Sequence, residues 1–101
     1  PMRRSYPAQL VRAVDGDTFI LNVDLGFDVF VRVPIRLEGL DAPEMPTEPG
    51  RRAKEAAEML LRSGPITIEP SGARTFARWV ARVTVAGRDL ADALRERGHG
   101  K

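Results

Sequence analysis

A cysteine-free chain of 101 residues has room for a single core, and it can form no disulfide, thiolate metal site or thiol nucleophile. Its net charge is only +2, yet 14 of the 16 basic residues are arginine, whose guanidinium grips phosphate in a fixed bidentate geometry. No apolar run approaches a membrane span and no signal sequence is recognisable, so no membrane partner is expected and the compartment is left open.

Residues 1–6 read as a loose basic lead-in, and Ala8 to Val14 as a first strand with Ala8 and Leu10 facing inward. Asp15-Gly16 is a hairpin signal, from which Thr18 to Val23 should return antiparallel, with Asp17 where the second strand leaves the turn. Asp24 to Asp28 forms a second turn and leads into a long third strand over residues 29–40. Pro34 within it should mark a bulge, an edge or a bend. Residues 45–50 carry no periodic signal and read as a loop. Ala53, Ala56, Ala57, Leu60 and Leu61 then fall on one apolar face of a helix over 51–63, ended by Gly64-Pro65.

Ile66 to Glu69 reads as a fourth strand and Pro70-Ser71-Gly72 as a turn. Arg78 to Val85 makes a fifth strand in which Trp79, Ala81, Val83 and Val85 share a core face, with Arg78 on the other. A last helix starts at Asp89 and stops at Gly98, leaving a tail over 99–101 in which His99 reads as solvated. Three strands, a helix, two strands and a helix predict a mainly β, α+β fold in one domain over 1–101. The expected form is a five-stranded OB-fold Greek-key barrel with a helix after strand three and a C-terminal helix.

The most informative stretch is Ile35-Arg36-Leu37-Glu38-Gly39-Leu40-Asp41-Ala42-Pro43-Glu44. Alternation sends Arg36 to the face opposite Ile35 and Leu37. Gly39 and Pro43 then end the strand in a stiff turn bearing Asp41 and Glu44. An arginine from a strand body and two acids from its exit are ingredients of a phosphate or metal site. The same residues have plainer uses, since Asp41 could cap the turn, Glu44 could be a solvated acid and Arg36 could pair with Glu38.

Four motifs in order decide between these readings: Val14-Asp15-Gly16-Asp17-Thr18, the stretch Arg36 to Glu44, Phe76-Ala77-Arg78-Trp79-Val80-Ala81, and Gly87-Arg88-Asp89-Leu90. With them the chain resembles the staphylococcal nuclease (thermonuclease) family from about Leu10 to Gly98. The resemblance implies a calcium-dependent phosphodiesterase acting on single-stranded DNA or RNA. By that likeness Asp17 and Asp41 supply metal carboxylates, the Ala42 carbonyl is a further ligand, Glu44 orients or deprotonates the attacking water, and Arg36 and Arg78 hold the scissile phosphate. Where the family usually reads Asp-x-Tyr-Gly-Arg, this chain has Arg74-Thr75-Phe76-Ala77-Arg78, which removes a phenolic hydroxyl and reverses a charge.

The residue types suit that chemistry. Attack on a phosphodiester adds charge to an anionic centre, so it needs cations aimed at the phosphate oxygens and a base near the water. Carboxylate and carbonyl oxygens without histidine or cysteine favour a hard ion such as Ca²⁺, bound with affinity of roughly 10⁻⁴ to 10⁻³ M when protein ligands are few. The competing expectation is a catalytically inactive OB-fold module that binds single strands or a protein partner. Such a module would tolerate loss of the acids and show exposed aromatics for base stacking. Here every acid of the motif is present and Trp79 is expected in the core. A monomer is the default expectation.

Overall fold

The computed structural model describes residues 4–75 and 78–101. Its elements are β1 (Tyr6–Asp15), β2 (Thr18–Asp24), β3 (Phe30–Leu37), α1 (Glu48–Leu61), β4 (Ile66–Thr75), β5 (Arg78–Val85), a two-residue β6 (Arg88–Asp89) and α2 (Leu90–Glu96). The strands lie in the order β3-β2-β1-β4-β5-β6, and a parallel pairing of β3 with β5 closes the first five into a mixed, OB-like barrel. The closing register is Ile35 to Trp79, Arg36 to Val80 and Leu37 to Ala81. It brings the arginine-bearing end of β3 beside the start of β5, where Arg78 stands.

The barrel curls where β1 carries two irregularities of register, one between Leu10 and Arg12 and one between Ala13 and Asp15. The first resets the inward face, so that Ala8 and Ala13 are both buried although their spacing along the strand is odd. Pro34 causes no such irregularity, since β2 and β3 pair without a break from Thr18–Arg36 to Asp24–Phe30. It stands one residue before β3 gains its second neighbour, an edge-like position where a missing N–H is tolerated. Phe19, Leu21, Ile35, Leu37, Ile68, Val83, Leu90 and Leu94 fill the core.

Several boundaries differ from expectation. The lead-in is shorter, because Tyr6 already pairs with Ile68 of β4. The third strand ends at Leu37 rather than residue 40, and the fourth runs on to Thr75 through an irregularity between Pro70 and Arg74. The α1 helix begins at Glu48, inside the expected loop: Thr47 is its N-cap, with Oγ1 accepting from the Gly50 N–H at 3.1 Å, and Pro49 lies in the first turn. Trp79 is a correction. Its strand neighbours Ala81, Val83 and Val85 are buried, but Trp79 sits toward the end of the barrel and is 40% exposed. Beyond α2 the chain folds back so that Lys101 pairs with the Asp41 backbone.

Candidate functional site

The site is built where three segments meet. An ideal Cβ on Gly16 would lie 2.8 Å from the Cβ atoms of both Ala42 and Ala53, so only glycine lets the β1–β2 turn close against the β3 exit loop and α1. The turn itself is set by Asp15, whose Oδ1 accepts the Asp17 N–H at 3.0 Å. Asp15 is thus the turn former that its Asp-Gly sequence suggests. Asp17 faces the exit loop, where its Oδ2 accepts the Ala42 N–H at 2.9 Å.

Arg36 links the acids. Its Nη1 lies 3.2 Å from Asp17 Oδ2 and its Nη2 lies 2.6 Å from Asp41 Oδ1. Nη1 also donates to the carbonyls of Leu40 at 2.7 Å and Leu37 at 3.1 Å, so the guanidinium is oriented by the loop it serves. Arg78 joins from β5 by donating to Thr18 Oγ1 at 3.0 Å, and Thr18 is the cross-strand partner of Arg36. Asp17, Arg36, Asp41 and Ala42 are therefore linked by direct contacts, with Arg78 one threonine away.

Glu44 is not drawn into that network. Its backbone carbonyl accepts from the Thr47 N–H at 3.2 Å and Thr47 Oγ1 at 2.5 Å, tying it to the start of α1, while the residue is exposed. Phe76 and Ala77 of the third motif lie outside the described residues. The parts that Gly16 and Thr18 play are not evident in the sequence, although both stand within the Asp-Gly-Asp-Thr motif that flags the site.

Electrostatically the centre of the site is Asp17. Burial pushes its carboxyl up to about 6, helped by a hydrogen bond and like charge from Asp15, while the Ala42 N–H and Arg36 pull it down. In chemical type the donors suit a hard cation, since the carboxylates of Asp17 and Asp41 and the backbone carbonyl of Ala42 offer only oxygen. Among the described residues no three acidic or histidine side chains gather closely enough to form a metal cage, so an ion would rest on two carboxylates and backbone.

No protein-family model matches the chain, and no curated protein matches it significantly. Among the described residues no helix is long and apolar enough to cross a membrane.

Proposed function

We propose that the chain is a metal-dependent nuclease of the thermonuclease type, hydrolysing phosphodiester bonds of DNA or RNA with Ca²⁺. The observation that carries this reading is the joining of Asp17 and Asp41, from two separate turns, through the single guanidinium of Arg36. Asp41 is 85% exposed, so this end of the linked pair stands where solvent and a ligand can reach it.

When bound at Asp17, Asp41 and the Ala42 carbonyl, calcium would supply positive charge at the phosphate and lower the pKa of water. Arg36 and Arg78 bind the non-bridging phosphate oxygens and offset the charge that builds during attack. Arg36 Nη1 is held by the Leu37 and Leu40 carbonyls and Nη2 donates to Asp41 Oδ1, so a phosphate would compete with Asp41 for Nη2. Glu44, exposed beside the exit loop, takes a proton from water as its oxygen attacks phosphorus, and the departing oxygen gains a proton from solvent.

Digestion of single-stranded DNA in millimolar calcium, with an EDTA control, tests the reading. Cleavage lost in EDTA is expected; intact DNA across pH and divalent ions would overturn it.

A second reading, a non-catalytic OB-type module, is favoured by one observation. Trp79 is 40% exposed and lines an apolar depression of about 370 Å³ with Tyr6, Val23, Val31 and Ile68. If stacking there is the function, Trp79→Ala should abolish single-strand binding in a protein that cleaves nothing.

A further inference from the structure

After α2 the chain reverses at Gly98, which has a φ of 79°. Lys101 then meets Asp41 in a reciprocal backbone pair: the Asp41 N–H donates to the Lys101 carbonyl and the Lys101 N–H to the Asp41 carbonyl, each at 3.1 Å. Gly100 is pressed into this contact, since a Cβ there would stand 2.6 Å from the Asp41 carbonyl oxygen and 2.9 Å from Leu40 Cδ1. Within α2 itself, the Arg95 guanidinium donates to the Gly39 carbonyl. The α2 segment and its tail thus hold the backbone of the loop that bears Asp41 and Ala42 at two points.

That matters because the Asp41 side chain is 85% exposed, and an exposed carboxylate is only as well placed as its backbone. We propose that Gly100 and Arg95 are positioning residues, clamping residues 39–41 so that Asp41 and the Ala42 carbonyl present their oxygens together. The inference rests on the nuclease reading, in which those oxygens hold calcium. Outer partners of this kind typically change metal affinity about 10-fold or more when removed.

The test uses the full chain and two variants, Gly100→Val, which cannot seat its side chain, and Arg95→Met, which frees the Gly39 carbonyl without backbone strain. Calcium chloride is titrated while amide resonances of Asp41 and Ala42 are followed by NMR, and hydrogen exchange of the Asp41 N–H is measured alongside. Faster Asp41 exchange with calcium binding weakened about 10-fold in Gly100→Val, and a smaller weakening in Arg95→Met, is expected. Should Gly100→Val fail to fold, Arg95→Met decides by the same readouts. Parental calcium affinity in folded variants would overturn the clamp and leave the nuclease reading standing. A parent protein that neither shifts with calcium nor cleaves DNA would overturn both.

Discussion

Ala42 donates its backbone N–H to Asp17 Oδ2 across 2.9 Å, joining the β1–β2 turn to the exit loop of β3. Through this bond the buried acid and the exposed Asp41 become parts of one site. Its strength depends on the charge of Asp17, and so on pH.

Asp17 titrates at about 6 in the folded protein against 3.8 as the ordinary value. Between those values the folded chain binds more protons than the unfolded one, so this contribution to stability is fully present below the ordinary value and is lost as pH rises through the folded one. The loss should be on the order of 2 kcal/mol, and Asp17→Asn should remove it. Urea midpoints just below pH 3.8 and at neutral pH, in parent and variant without calcium, measure the difference.

Arg36→Lys keeps the charge and loses the planar fork. One ammonium cannot serve Asp17, Asp41 and the Leu40 carbonyl together, so hydrolysis should fall about 100-fold or more. Rates of single-strand cleavage at saturating calcium would check this, and an unchanged rate would remove Arg36 from phosphate binding.

Glu44 is exposed and anchored through its backbone carbonyl, so Glu44→Gln should leave thermal stability within about 0.5 kcal/mol of the parent. Hydrolysis should nevertheless fall about 100-fold if the carboxylate accepts the proton from water. Melting curves and cleavage rates on the same preparation separate the two effects.

Gly16→Ala forces a methyl group against Ala42 and Ala53 at 2.8 Å. It should destabilise the fold by about 1–3 kcal/mol and weaken calcium binding by pushing Ala42 from Asp17. Denaturant unfolding with a calcium titration checks both.

Much of the architecture is legible in local patterns. Asp15-Gly16 marks a hairpin because turn chemistry is local, and the spacing of Ala53, Ala57 and Leu61 marks the buried face of α1. The start of α1 is legible too, in Thr47 and Pro49, but the missing apolar period hides it. Apart from Ala42, which enters through its backbone, the candidate site residues are named from motifs because the chemistry they offer belongs to their side chains.

Which groups meet is not written in those patterns. Alternation places Trp79 on the core face of β5, but its position toward the barrel end leaves it 40% exposed. Asp17 acquires its raised pKa chiefly from burial, which spacing does not encode, with a smaller push from Asp15 two residues away in its own motif. Nothing in the sequence of the tail over 99–101 assigns it a partner, yet the Lys101 backbone pairs with that of Asp41. Order along the chain sets the elements and the chemistry on offer, because propensity, turn formation and side-chain type act locally. Distances, desolvation and partners come from closing the barrel, because each depends on residues far apart in the chain.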